Sequence, residues 1–195
     1  MIRAGLTGNI GSGKSVVASL FSLIGVPVYN ADEASKKLLK LPEIIDKIES
    51  LFGQEIAENG IISNKRLALI VFGNPGALSK LNALLHPLVM HDFNQWILSK
   101  MQFPYVIMEA AILFETGYAK EFDRIILVSC PDETAIGRVI ARDGVGRDQV
   151  LARMQHQIKN DDKALKSDFV ILNDGSQMLI PQVLSIHEKL VKENH

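Results

Sequence analysis

A chain of 195 residues with 47% apolar and 22% charged residues suits one folded domain, or one domain carrying a subdomain. Its 21 Lys+Arg against 22 Asp+Glu leave a net charge of −1, which excludes nucleic-acid binding through bulk positive charge. No apolar run reaches the ~20 residues of a membrane span, no signal-peptide run opens the chain, and a single cysteine, Cys130, excludes an internal disulfide, so a soluble, cytoplasmic protein is expected.

Ile2 to Leu6 is a short apolar run that ends in a glycine-rich loop and reads as a buried strand. A helix follows from Gly13, with Val17, Leu20, Phe21 and Ile24 on one apolar face and Gly25 ending it. Pro27-Val28-Tyr29 is the second predicted strand, ending near Asn30-Ala31-Asp32. This strand–loop–helix–strand unit begins a parallel α/β sheet.

From about 33 to 101 the pattern is almost entirely helical. One helix is predicted over 33–40, and another is opened by Pro42 and closed by Gly53, with Ile44, Ile45 and Ile48 among its apolar positions. Asn59-Gly60 reads as a turn, and Ser63 as the cap of a helix reaching Phe72. Further helical pieces cover 77–85 and 88–100, separated at His86-Pro87. Such a block between strands reads as an inserted subdomain.

Strand patterns resume at 105–108, ending on Glu109, and at 125–128. Asp132 is placed as the N-cap of a helix reaching about Arg142. Gly144 and Gly146 break the next stretch, and a polar helix is predicted over 147–160. Residues 169–172 form a fifth strand. A terminal helix runs over about 177–192, with Pro181 awkward in its first turns.

Gly8-Asn9-Ile10-Gly11-Ser12-Gly13-Lys14-Ser15 fits G-x-x-x-x-G-K-[ST]. The glycines let backbone N–H groups turn inward around phosphate oxygens, and the helix start adds partial positive charge. Lys14 reaches the β- and γ-phosphates, and the Ser15 hydroxyl suits a Mg²⁺ ion that bridges them. A chance match in a glycine-rich loop is the alternative, but this motif follows a strand and opens an amphipathic helix, as the mechanism requires. A GTPase would need Asn-Lys-x-Asp, and the nearest string, Asn64-Lys65-Arg66-Leu67, lacks the aspartate.

Two features favour phosphoryl transfer to a small molecule. Asp32 follows the second strand, so in a parallel sheet it would sit beside the phosphate loop, where a carboxylate can accept a hydroxyl proton; capping the helix from Glu33 is the competing role. Arg138 and Arg142 share a helix face, and Arg147 and Arg153 lie past a glycine-containing break. They read as a lid over the transferring phosphate or as a solvated face. A nucleotide-dependent binding protein, or another small-molecule kinase on the same core, stays open on these residues alone.

Several separated segments together resemble the dephospho-coenzyme A kinase family. Gly5-Leu6-Thr7-Gly8 through Ser15 is similar to its opening motif. Gly25-Val26-Pro27 through Asp32 is similar to its second-strand segment, with Asn30 in place of the first aspartate of Asp-Ala-Asp. His86-Pro87-Leu88-Val89, Ile112-Leu113-Phe114-Glu115, Arg138-x3-Arg142-Asp143, Gln157, Asp168 and Asn173-x-Gly175 match in order. Ala111, Ala135 and Ser167 depart from the pattern.

The resemblance implies ATP-dependent phosphorylation of the ribose 3′-hydroxyl of dephospho-CoA, the last step of coenzyme A biosynthesis, with Mg²⁺. It implies a P-loop NTPase fold with a five-stranded parallel sheet. The core would comprise 1–32 and 104–195, with a lid at about 143–160, and 33–103 would be a helical CoA-binding subdomain. Asp32 would be the base, Lys14 and Ser15 would keep their phosphate and metal roles, and Arg142 would reach the phosphates. ATP would lie against residues Gly8 to Ser15, with Arg138, Asn173 and Gly175 completing its site. Glu109, at a strand end, suits a metal-bound water or plain backbone bonding. His86, before a proline, suits backbone satisfaction or substrate contact. The expected partners are the two small-molecule substrates, with no nucleic acid and no membrane; oligomeric state is left open.

Overall fold

The structure is a computed structural model describing residues 1–58, 60–72 and 74–193. Asn59 of the predicted turn falls outside them. The chain forms two compact units, Met1–Asn30 with the chain from Ile97 onward, and Ala31–Trp96.

The first unit opens with β1 (Ile2–Thr7), α1 (Lys14–Leu23) and β2 (Val28–Asn30). The second unit follows, with α2 (Ala31–Leu38), α3 (Pro42–Phe52), β3 (Ala57–Glu58), β4 (Ile61–Ile62), α4 (Asn64–Phe72) and most of α5 (Pro75–Leu98). Ile44, Ile48, Ile56, Ile62, Leu67 and Leu81 share its core. β3 and β4 pair antiparallel, a two-residue ladder too short to announce itself as alternating sequence.

Helix α5 corrects the expected break at His86-Pro87: 24 residues run through as one helix with Pro87 inside. A proline there costs about 3 kcal/mol. Ala77, Leu81 and Leu85 before it, and Val89 and Phe93 after it, keep a four-residue spacing and are all buried. Each large buried apolar side chain stabilises by about 1.5–3 kcal/mol, so Val89 and Phe93 already outweigh the lost bond.

The first unit then resumes with β5 (Tyr105–Glu109), β6 (Arg124–Ser129), α6 (Asp132–Asp143), α7 (Arg147–Met154), α8 (Asn160–Ala164), β7 (Phe169–Leu172) and α9 (Leu179–Glu193). Its five strands are parallel in the order β2-β5-β1-β6-β7. Strands covered on both faces read as continuous apolar runs, which is why Tyr105 to Met108 carried no alternation. Val17 and Phe21 of α1 and Val183, Ile186 and Leu190 of α9 pack with Leu6, Ile107 and Ile126.

Three local expectations need correction. Asp132 lies inside α6, whose N-cap is Pro131 with no side-chain cap bond. The helix predicted over 147–160 stops at Met154, because the backbone and side chains at 157–158 bond to distant loops instead. Pro181 is the third residue of α9, in the first turn, where no helical N–H is lost. At the sheet edge, the Gln182 side chain accepts from the Leu172 N–H at 2.8 Å and donates to the Leu172 carbonyl at 3.0 Å.

Candidate active site

Parallel pairing aligns the C-terminal strand ends on one edge. Both Leu6 of β1 and Asn30 of β2 register with Glu109 of β5. The glycine-rich loop leaves β1 at this edge, and Gly13 caps α1 in the left-handed region at φ 92°. A Cβ at Gly13 would overlap the Asn173 amide, and one at Gly11, φ 77°, would overlap the Ala135 carbonyl. These two positions therefore require glycine for both conformation and space.

Lys14 folds back over the loop, with Nζ donating to the Gly8 carbonyl at 2.8 Å and the Asn9 carbonyl at 3.3 Å. The Asn9 carbonyl also accepts from the Ser12 N–H at 3.1 Å. Ser12 Oγ is buried with no hydrogen-bond partner among the described residues. Beside the loop, Ser15 Oγ donates to Glu109 Oε1 at 2.9 Å. The Asn30 amide donates to Glu109 Oε2, also at 2.9 Å. The sequence marks Asn30 only as a departure from an aspartate, and the structure gives the departure a consequence. An amide donates to Glu109, where a second carboxylate would repel it.

Asn173, just past β7, braces the loop from the other side: its Nδ2 donates to the Ser12 carbonyl at 2.7 Å. Arg138 of α6 reaches Asn173 Oδ1 and Cys130 Sγ, each at 3.4 Å. Burial pushes the Cys130 thiol up, so it stays protonated. Gly175 lies in the turn that Asp174 closes on Ser176. Between the β6–α6 junction and the end of β7 lies a cavity of about 530 Å³, lined among others by Asn9, Cys130, Asp132, Asn160, Leu172 and Asp174.

The other three candidate lid arginines are tied to carboxylates. Arg142, in the last turn of α6, makes a two-pronged pair with its neighbour Asp143 at 2.7 and 3.1 Å. Its bonding holds the Asp143 carboxyl below the usual range. Arg153 also reaches Asp143, at 3.4 Å, and Arg147 pairs with Glu133 at 2.6 and 2.8 Å. Val150 of α7 packs on Ile136 and Val139 of α6.

Asp32 and His86 belong to the second unit. Asp32 is exposed in the first turn of α2, inside the helix rather than capping it. It follows Asn30, the strand-end residue bonded to Glu109, by two positions. His86 is half-buried within α5, and burial lowers its pKa below the usual value. Sequence reasoning missed Lys163, a fully buried ammonium bonded to Glu115 and Asn9. No local pattern marks it, since its partners lie far away in the chain.

The profile of the dephospho-CoA kinase family matches residues 2–178. A dephospho-CoA kinase of Bacteroides fragilis is 38% identical over 195 residues, covering 100% of this chain and 95% of its own length. One of Porphyromonas gingivalis is 36% identical, with 96% and 94% covered. A Thermus thermophilus crystal structure is 34% identical with TM-score 0.84, covering 96% of both chains. The dephospho-CoA kinase of Campylobacter jejuni is 26% identical with TM-score 0.70, covering 99% and 98%. A shikimate kinase of Acinetobacter baumannii, 12% identical with TM-score 0.57 over 99% and 94%, shares the fold. The five-stranded parallel sheet is that of the P-loop kinases, and the chain belongs to the dephospho-CoA kinase family, the kinases of the final step of coenzyme A biosynthesis.

Proposed function

We propose that the glycine-rich loop holds ATP and that the γ-phosphoryl group passes to the ribose 3′-hydroxyl of dephospho-CoA. The observation that carries the site assignment is the convergence of Lys14, Ser15 and Glu109 at one sheet edge. Lys14 leaves the Gly8 and Asn9 carbonyls for the β- and γ-phosphates, and the unpartnered Ser12 hydroxyl gives the loop a further polar group to satisfy. The cavity beside Asn9 has the size of a nucleoside site and takes the base and ribose of ATP.

The Ser15 hydroxyl and the Glu109 carboxylate fit Mg²⁺, a hard cation that takes one or two protein oxygens alongside phosphates and water. When bound, it offsets charge on the β- and γ-phosphates. Ser15 would touch it directly and Glu109 would hold one of its waters.

Asp32 accepts the 3′-hydroxyl proton as the new O–P bond forms and the bond to the ADP oxygen breaks. In a loose transition state most of the catalysis is positioning and charge. Arg142, Arg138, Arg147 and Arg153 supply that charge as α7 closes about Gly144 and Gly146, whose left-handed and extended conformations flank the turn. Asn173 and Gly175 border the base, His86 belongs to the substrate-binding unit at 31–96, and the setting is cytoplasmic, where ATP is supplied.

A coupled ADP-release assay over dephospho-CoA, AMP, CMP, shikimate and gluconate tests the reading. Turnover is expected with dephospho-CoA and to vanish in folded Lys14→Ala. Normal turnover in that variant removes the loop from the mechanism, and silence with dephospho-CoA removes the substrate.

A further inference from the structure

Lys163 of α8 is fully buried, and none of the steps above uses it. Its Nζ lies 2.7 Å from Glu115 Oε1 and 2.9 Å from Asn9 Oδ1. An ammonium removed from water needs such partners. Replacing a buried ion pair by apolar side chains is often neutral for stability, so stability alone is a weak account of it. What the pair fixes is geometry. Asn9 is the second residue of the phosphate loop, and its side chain is held at both ends: Oδ1 accepts from Lys163, and Nδ2 donates to the Ile158 carbonyl at 3.3 Å. The Ile158 N–H donates to the same Glu115 oxygen at 2.9 Å, which closes the ring. Gln157 Oε1 accepts from the Ile10 N–H at 2.9 Å. The carbonyl of Asn9 is one of the two that Lys14 occupies.

We propose that Lys163 is a positioning residue for ATP: through Asn9 it sets the phosphate loop and the resting place of Lys14, and through Glu115 and Ile158 it ties that loop to the segment following α7. The lid's C-terminal root and the loop apex are thereby one assembly. The proposal rests on the loop being the ATP cradle.

The test uses two variants and a control in the full-length protein. In Lys163→Met with Glu115→Gln, both charges leave together, and the glutamine oxygen still accepts from Ile158. Asn9→Ser leaves the Lys163–Glu115 pair intact but is too short to reach Lys163 or Ile158. Affinity for fluorescent methylanthraniloyl-ATP, KM for ATP, KM for dephospho-CoA and Tm are measured in each. Both variants are expected to weaken ATP by about 10-fold or more, towards the ~10²-fold that a misplacement of roughly 1 Å costs. KM for dephospho-CoA should stay within about 3-fold, a split that general destabilisation does not produce. Either folded variant binding ATP like the wild type overturns the proposal, and if the double variant fails to fold, Asn9→Ser decides it alone. The control is Lys14→Ala: if it binds ATP normally, the cradle reading fails, whereas a weakened Lys14→Ala beside unaffected Lys163 and Asn9 variants refutes the positioning role itself.

Discussion

Ser15 and Glu109, separated by 94 residues in the chain, meet hydroxyl to carboxylate at 2.9 Å, with Asn30 on the other carboxylate oxygen. Glu109→Gln keeps the volume and removes the charge that, in the proposed mechanism, orients water on a cation. The Mg²⁺ concentration for half-maximal turnover is expected to rise by about 10- to 100-fold at fixed ATP. A titration superimposable on the wild type would leave Glu109 only its bracing bonds to Ser15 and Asn30.

Asp32→Asn separates base from scaffold. Asp32 is exposed and already within α2, so the substitution removes a helix-dipole contribution of at most about 1 kcal/mol. ATP affinity and Tm should hold while turnover falls by about 10² or more. Turnover within a few-fold of wild type would place the base elsewhere.

If Arg142 serves the phosphates as proposed, its pair with Asp143 sets a carboxylate in competition with phosphate. Such exposed pairs are weak and salt-screened, hence easily exchanged. Arg142→Ala should lower kcat/KM for ATP by about 10² or more. Asp143→Asn, which removes the charge that holds Arg142, should lower KM for ATP. Protease cleavage between Asp143 and Arg153 should fall when ATP and dephospho-CoA are both present; cleavage indifferent to ligands speaks for a fixed segment.

His86 gives a pH signature. Burial lowers its pKa in the folded protein from the ordinary 6.5. The unfolded chain therefore takes up the proton at higher pH than the folded one, so this site's stability is present above about pH 6.5 and is lost as pH falls. His86→Gln should lose less Tm than the wild type between pH 7.5 and 5.5. Equal losses would exclude His86 as a source of the acid sensitivity.

What could be read from the chain was local. The loop from Gly8 to Ser15 announces itself because its glycines, lysine and helix start are contiguous, and the central strands β1, β5 and β6 do so because burial on both faces leaves unbroken apolar runs. Pro87 misled because the gain that outweighs it comes from Val89 and Phe93 being buried, which no window of sequence displays. The helix predicted over 147–160 failed for a related reason: Gln157 and Ile158 answer to Ile10, Asn9 and Glu115. Lys163 reads as a surface charge until Asn9, 154 positions away, is brought beside it.

The clamp of Gln182 on Leu172 also closes part of a sheet edge. β7 is an outer strand of the sheet, and its backbone groups alternate between β6 and the open side. Leu172 turns outward, and the glutamine amide satisfies its N–H and carbonyl as a neighbouring strand would. Alternation leaves Val170 as the other outward-facing residue of this four-residue strand. A strand from a second molecule would find one residue's worth of ladder at this edge, too little to hold a register, so a single side chain guards the β7 edge against strand addition.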